Sequence, residues 1–279
     1  MIRTTKTNRI AIAATTGFAM TALAGAAQAQ LGLTVSDNID NQLPGLTFTD
    51  GDIVETNQAG SFGSEIFDEG LFGGTNVDVD AFHWLGDGTY LLSTIFNNRN
   101  LGGGTFSDGD LIRYDPATDT ASVFEISEAA IGDDIDAASV LADGNIVFST
   151  GNFTNTIGGV AVTEGDILLW NSPTDTVSVL HGQAEIFDDG SAELSAIHAF
   201  GDGTYLISAF GDEMISGTMF ENGDLVLWDS NDDSASLFFD EDNFLGSNGY
   251  NINGASIIPA PASLAVLGLG GFAATRRRR

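Results

Sequence analysis

Asp80-Ala-Phe-His-Trp-Leu-Gly-Asp-Gly-Thr-Tyr-Leu-Leu-Ser93 is the first of three copies of one pattern, and the other two occupy residues 136–149 and 195–208. In each copy two apolar runs flank an Asp-Gly pair, which is typical of a tight turn between two strands. After a loop, each copy is followed by a Gly-Asp pair that begins another apolar run. A fixed period near this length indicates a repeat architecture. Counting one upstream pair, the aspartates lie 58, 56 and 58 residues apart, at Asp52, Asp110, Asp166 and Asp224.

Each repeat contains four short apolar runs bounded by Gly, Asp, Asn and Pro, which predicts four β-strands and no amphipathic helix. Four strands per repeat is the composition of a propeller blade. The runs before residue 80 correspond to strands two, three and four of a repeat, and residues 252–258 correspond to a first strand. We therefore expect an all-β, four-bladed propeller with four antiparallel strands per blade, in which the C-terminal strand joins the N-terminal strands and closes the ring. An open β-repeat solenoid, or a larger ring formed by association, is the alternative.

The charge of the core is strongly one-sided. Seven of the nine Lys and Arg residues lie before residue 30 or after residue 258. Residues 30–258 therefore contain two basic residues, Arg99 and Arg113, and all 39 Asp and Glu. Their formal charge is 2 − 39 = −37. Such a surface repels nucleic acid and anionic membranes and attracts divalent cations. Solubility in salty water, where screening weakens self-repulsion, is the alternative explanation.

Oxygen-bearing side chains recur where the first strand of each repeat begins. Residues two apart on a strand point to the same side, and the first strands of a propeller surround its channel, so we expect these groups at the channel mouth. Unpaired carboxylates would repel one another there, and Ca²⁺, which takes six to eight oxygen ligands, would relieve this. We therefore predict a site for Ca²⁺ or a similar hard cation; capping of turns and hydrogen bonds to amides between blades are the alternative. The candidate ligands are Asp78, Asp80, Asp134, Asp136, Glu193, Asn251 and Asn253, and Ser195 stands at the remaining equivalent position.

The aspartates of the Gly-Asp pairs have a simpler expected role. Each ends a loop and begins a strand, so we expect its carboxylate to accept hydrogen bonds from nearby backbone amides. A role as metal ligands is the alternative for these four residues.

Evidence for catalysis is weak. His83 and His198 occupy equivalent positions on first strands, where the other two repeats have Ser139 and Ser256. We expect these to be packed, hydrogen-bonded side chains, with acid–base or zinc chemistry as the alternative. The sequence has no cysteine, no Gly-x-Ser-x-Gly and no His-Glu-x-x-His. We assign no catalytic residue, no certain cofactor, and no enzymatic activity.

Residues 1–29 have the organisation of a secretory signal peptide. Three basic residues precede an apolar stretch, and Ala27-Gln28-Ala29 forms a small-x-small cleavage sequence for signal peptidase. The propeller domain is therefore expected to comprise residues 30–258.

Residues 259–279 combine a proline motif, an apolar stretch and a basic end. The matching residues are Pro259, Pro261, the Ala262-Ser263-Leu264 and Leu267–Gly271 runs, and Arg276, Arg277, Arg278 and Arg279. This tail resembles the PEP-CTERM sorting signal of Gram-negative bacteria, which usually has Glu where this chain has Ala260. The resemblance implies transient anchoring in the inner membrane, processing by an exosortase-like enzyme, and delivery to the cell surface or an exopolysaccharide matrix. A plain C-terminal membrane anchor is the alternative.

These features favour an exported surface or matrix protein that binds cations, polysaccharide or another protein and touches the membrane only through its tail. The loops between second and third strands and the crossings between blades are long and share one face, where binding is expected. The alternative is a secreted polysaccharide-acting enzyme with its site at the acidic channel mouth.

Overall fold

The computed structural model describes residues 30–36, 41–74, 77–151, 154–188, 190, 192–245 and 251–258. Four four-stranded antiparallel sheets form a ring, and the first strand of each sheet contacts those of its neighbours around a central axis. The protein is a four-bladed β-propeller, as the repeats predict.

The first described strands belong to the blade that the last described strand completes, which we call blade 4. Its N-terminal strands, including a hairpin, are β1 (Gln30–Ser36), β2 (Asn41–Leu43), β3 (Leu46–Phe48), β4 (Ile53–Thr56) and β5 (Ser64–Phe67). Blade 1 contains β6 (Val79–Trp84), β7 (Tyr90–Thr94), β8 (Arg99–Leu101), β9 (Gly104–Phe106), β10 (Ile112–Asp115) and β11 (Thr120–Val123). Blade 2 contains β12 (Ile135–Val140), β13 (Ile146–Thr150), β14 (Asn155–Ile157), β15 (Val160–Val162), β16 (Ile167–Asn171) and β17 (Thr176–His181). Blade 3 contains β18 (Leu194–Ala199), β19 (Thr204–Ala209), β20 (Glu213–Ile215), β21 (Thr218–Phe220), β22 (Leu225–Asp229) and β23 (Ser234–Phe239), and the last described strand is β24 (Asn251–Ile258).

Closure of the ring depends on β24. It pairs antiparallel with β1 along its whole length, from Gln30↔Ile258 to Ser36↔Asn251, and β1 pairs in turn with β4. The C-terminal strand thus becomes the first strand of blade 4, which confirms the predicted closure and excludes an open solenoid.

The loops carry regular structure that the repeat analysis did not predict. Every loop between a second and a third strand folds into a two-stranded hairpin: β2–β3, β8–β9, β14–β15 and β20–β21. Every crossing between blades contains one helical turn: 3-10 turns at Glu69–Phe72 and Glu241–Asn243, α1 (Glu128–Ile131) and α2 (Gln183–Ile186).

The hydrophobic core consists of four clusters, and each lies between two adjacent blades. Between blades 2 and 3, for example, Val147 of one blade packs in one buried cluster with Ile207 and Trp228 of the next. Burial of a large apolar side chain contributes about 1.5–3 kcal/mol, so these clusters stabilise the contacts between blades.

The Gly-Asp aspartates join each blade to the following crossing. One carboxylate oxygen accepts the backbone N–H three residues earlier at 2.8–3.0 Å, at Thr49, Ser107, Thr163 and Glu221. The other accepts the first N–H of the helical turn at 2.7–3.3 Å, at Glu69, Glu128, Gln183 and Glu241. The predicted bonding to nearby amides is therefore confirmed.

Candidate cation site at the channel mouth

A β-bulge recurs at the start of every innermost strand. The pairing of β6 with β7 steps from Val79↔Thr94 to Ala81↔Ser93, so Asp80 is skipped. Bulges commonly redirect a side chain beside a functional site. The same step skips the equivalent residue in the other three blades: Asp136, Ser195 and Asn253.

All four bulge residues line one cavity of about 510 Å³ at the mouth of the channel. Eight of the lining residues, including the bulge residues Asp80 and Asp136, are carboxylates, and no Lys, Arg or His is among the described residues that line the cavity. The eight are Asp78, Asp80, Asp108, Glu128, Asp133, Asp134, Asp136 and Glu193.

The structure brings together most of the predicted ligands. Six of the seven line the cavity; Asn251 does not, although it lies on β24 two residues before Asn253. Sequence reasoning missed Asp108, Glu128 and Asp133, which come from a loop and a crossing. For Asp108 a signal existed, because it directly precedes a Gly-Asp pair.

Several oxygens at this mouth have no hydrogen-bond partner among the described residues. The buried unpartnered atoms in the cavity lining are Asp78 Oδ1, Asp80 Oδ2, Asp134 Oδ1, Asp136 Oδ2 and Ser195 Oγ. Asp80 is only 4% exposed. Because an unpaired buried polar atom costs free energy, such atoms favour a ligand that supplies the missing interaction. Bonding to amides, the alternative expectation, does not account for these five atoms.

The carboxyl groups also have raised pKa values. Burial, followed by repulsion from Asp50, raises the pKa of Asp78 to about 6. Burial, followed by repulsion from Asp108, raises the pKa of Asp134 to about 7. Burial and then neighbouring carboxylates raise the pKa values of Asp80 and Asp136 well above the usual range. Each of these groups lacks a compensating positive charge, which a cation would provide.

The carboxylates are spread through the cavity and do not converge on one point. In the part of the chain that the structure describes, no three His, Asp or Glu side chains are already arranged to hold a metal ion. Calcium sites are flexible and mix carboxylate, amide, carbonyl and water oxygens, so binding here would require side chains to move together.

Two histidines lie towards the other end of the innermost strands. His83 and His198, from blades 1 and 3, stack with their ring centroids 5.6 Å apart. His83 Nδ1 lies 3.4 Å from Ser139 Oγ, whereas His198 Nδ1 is buried and has no hydrogen-bond partner among the described residues. Burial lowers the pKa of His83 to about 3 and that of His198 to about 4, so both are neutral at ordinary pH. Both side chains are packed, as predicted, and His83 is also hydrogen-bonded.

The predicted processing and sorting residues, Ala27, Ala29, Pro259, Pro261 and Arg276 to Arg279, lie outside the described residues. Within the described ranges, no helix is both long and apolar enough to cross a membrane.

Fold and site together define a β-propeller with an acidic channel mouth. No protein-family model and no curated protein matches the chain. Among solved structures it is similar to a nidogen/laminin complex, with 8% identity and a TM-score of 0.37 over 75% of this chain and 60% of that one. It is also similar to a protein of unknown function from Bacteroides caccae, with 10% identity and a TM-score of 0.40 over 84% of this chain and 100% of that one. A third similar structure is the extracellular domain of a putative hybrid two-component system from B. thetaiotaomicron, with 14% identity, a TM-score of 0.31 and coverage of 74% and 27%. The chain thus spans about 60% of the first of these structures, and no function is carried over from any of them.

Proposed function

We propose that this protein is an exported, non-enzymatic binding protein that holds Ca²⁺, or a similar hard divalent cation, at the mouth of its channel. The observation that carries the proposal is the set of five buried, unpartnered oxygens in a cavity whose described lining contains eight carboxylates and no basic residue. A cation would supply both the missing interactions and the missing charge.

The chemistry of the lining favours a hard ion. Its polar side chains are carboxylates, one hydroxyl and one amide, and it includes no imidazole, thiol or thioether. Oxygen-only donors suit Ca²⁺ and Mg²⁺, whereas Zn²⁺ and Cu²⁺ favour nitrogen or sulfur. Of the first two, Ca²⁺ better tolerates irregular geometry and a high ligand number, which suits carboxylates that come from several strands and loops.

Export is supported by the sequence of the two termini. The N-terminal segment predicts removal by signal peptidase, and the tail predicts recognition by an exosortase-like enzyme before release at the surface. Cell fractionation of the full chain and of a variant lacking residues 259–279 tests this. We expect the full chain at the surface or in the matrix, and the truncated chain in the soluble exported fraction; equal distributions would contradict a sorting role.

Calcium binding is tested with the purified protein by calorimetric titration and by thermal unfolding in EDTA and in Ca²⁺. At a free calcium concentration 100 times Kd, binding to the folded state alone adds about 2.7 kcal/mol. For a domain of this size that corresponds to a rise in Tm of about 5–10 °C. The Asp80→Asn, Asp136→Asn double variant should lose most of this rise, because it removes the two charged bulge residues.

The matched control is Asp232→Asn, which removes an exposed carboxylate in the turn between β22 and β23, outside the cavity. It should retain the calcium response of the wild type. Absence of any calcium response in the wild type would refute the proposed function.

A further inference from the structure

A third oxygen-bearing residue accompanies each pair of oxygen-bearing residues at the start of a first strand. Asp50, Asp108, Glu164 and Asn222 directly precede the Gly-Asp pairs, so each lies at the start of the third strand of its blade. At three of the junctions the glycine that follows lies against the chain just before the first strand of the next blade: a Cβ at Gly51 would meet the Val77 carbonyl, one at Gly109 the Asp133 carbonyl, and one at Gly165 the Ala192 carbonyl. At the first of these junctions a Cβ added to Gly51, next to Asp50, would lie 3.2 Å from Asp78 Cα, and repulsion from Asp50 contributes to the raised pKa of Asp78.

The next two junctions bring carboxylates together in the same way. Burial and then repulsion from Asp108 raise the pKa of Asp134, and burial and then repulsion from Glu164 raise that of Glu193. In both cases the two interacting residues belong to different blades.

Each blade junction therefore has a set of three oxygen-bearing residues, which we call a junction triad. In chain order around the ring, the four triads contain three, three, two and no carboxylates. The triads are Asp50/Asp78/Asp80, Asp108/Asp134/Asp136, Glu164/Glu193/Ser195 and Asn222/Asn251/Asn253.

Every triad contains a buried oxygen without a hydrogen-bond partner among the described residues. Asp78 and Asp80 supply two to the first triad, Asp134 and Asp136 supply two to the second, Ser195 Oγ supplies one to the third, and Asn251 Oδ1 supplies one to the fourth. Asp80 and Ser195 are 4% and 6% exposed, and both line the cavity. Each acidic triad thus combines negative charge with a buried oxygen that has no partner.

We propose that divalent cations bind at the acidic junction triads, so that each ion joins two neighbouring blades. This inference rests on the proposed calcium binding, and it specifies where the ions bind and how many of them there are. Two ions are expected at the fully charged triads, and a third, weaker one at the Glu164/Glu193/Ser195 triad.

The uncharged triad has a different role, which is to let the ring close. It lies where the first strand of blade 4, β24, meets blade 3, which is the junction that forms when the ring closes. Because Asn222, Asn251 and Asn253 do not repel one another, the ring can close without an ion. The other three junctions then remain loosened by repulsion until the protein reaches a medium that contains calcium, where the ions tighten them.

The number of bound ions is measured by calorimetric titration of the wild type, Asp50→Asn and Asp108→Asn. Both residues are partly exposed, so neither substitution should prevent folding. We expect at least two ions in the wild type and one fewer in each variant. The control is Asn222→Asp, which adds a single carboxylate to the neutral triad and should leave the number unchanged.

Amide hydrogen exchange provides a second measurement that does not depend on stoichiometry. Calcium should slow exchange at the loop ends around Asp50, Asp108 and Glu164, and leave the loop end around Asn222 unaffected. One ion per chain, weakened equally by both substitutions and protecting all four loop ends alike, would show a single central site; the junction proposal would then be wrong and calcium binding would stand. No binding to the wild type would refute calcium binding itself.

Discussion

Asp134→Asn is expected to stabilise the protein in the absence of metal. In the wild type this carboxyl is partly buried at the channel mouth, and burial followed by repulsion from Asp108 raises its pKa from 3.8 to about 7. Asn keeps one side-chain oxygen, removes the charge, and adds an N–H donor beside Asp108. The substitution therefore exchanges a repulsive contact for a hydrogen bond.

The size of the expected stabilisation follows from the coupling between protonation of Asp134 and folding. The folded-state pKa is raised, so the stability associated with this group is fully present below pH 3.8 and is lost as the pH rises through about 7. A rise from 3.8 to about 7, at about 1.4 kcal/mol per tenfold change in acidity, corresponds to about 4 kcal/mol. Solvent reaches part of this side chain and screening weakens the repulsion, so we expect about 2 kcal/mol.

The assay is urea unfolding of wild type and variant in EDTA between pH 4 and pH 7.5. The measured quantity is the difference in the free energy of unfolding between the two proteins at each pH. His83 and His198 also titrate, but their contribution is the same in both proteins and cancels in this difference. It should be less than about 1 kcal/mol at pH 4 and rise to about 2 kcal/mol at pH 7.5. Asp232→Asn, which removes an exposed acid outside the cavity, should show no such rise.

Calcium should reverse the order of stability. The wild type gains free energy from the ion, whereas the variant has lost a ligand and gains less. A variant that is less stable than the wild type in EDTA at pH 7.5, or a difference that stays constant from pH 4 to pH 7.5, would refute the argument that repulsion at the mouth is released by a cation.

Three further outcomes test the scaffold. Asp166→Ala should lower the free energy of unfolding by about 2–4 kcal/mol in urea, because the partly buried N–H groups of Thr163 and Gln183 lose their acceptor; an unchanged midpoint would contradict its structural role. His198→Gln should reduce the loss of stability between pH 6.5 and pH 4, since its pKa is lowered to about 4 in the folded state and the unfolded chain takes up the proton first; parallel pH profiles for variant and wild type would oppose this. Gly109→Ala should lower Tm through a cost of about 1–3 kcal/mol, because a Cβ there overlaps the Asp133 carbonyl; an equal Tm would show that the loop can move away.

The repeat period carried enough information to predict the propeller and its closure. Strand count, blade order and the pairing of residues 252–258 with the N-terminal strands all follow from alternation and turn signals, which depend on local sequence. The amide-binding role of the Gly-Asp aspartates was also predictable, because it involves residues at fixed short offsets. Most of the candidate ligands could be found because they recur at one position of the repeat.

The bulges and the junction triads could not be read from the sequence in the same way. A bulge depends on the register between two strands, and Asp80 looks like any other residue near a strand end until Val79 and Ala81 are seen to pair with Thr94 and Ser93. The triads join a loop of one blade to a strand of the next, and that proximity arises only when the ring has formed. The hairpins within the loops were missed because their strands are three residues long, too short for a clear alternating pattern.

The distribution of charge around the ring also bears on the highly acidic composition. If solubility in salt were the only reason for the acidic residues, they would be expected on exposed positions, where screening is effective and burial costs nothing. Asp80 is instead almost fully buried, and Asp78 and Asp134 have buried oxygens without hydrogen-bond partners. These groups destabilise the metal-free protein, and a requirement for solubility alone does not account for them. Their arrangement at three junctions, with asparagine at the fourth, is explained if a cation completes the three and the ring must close at the fourth without one.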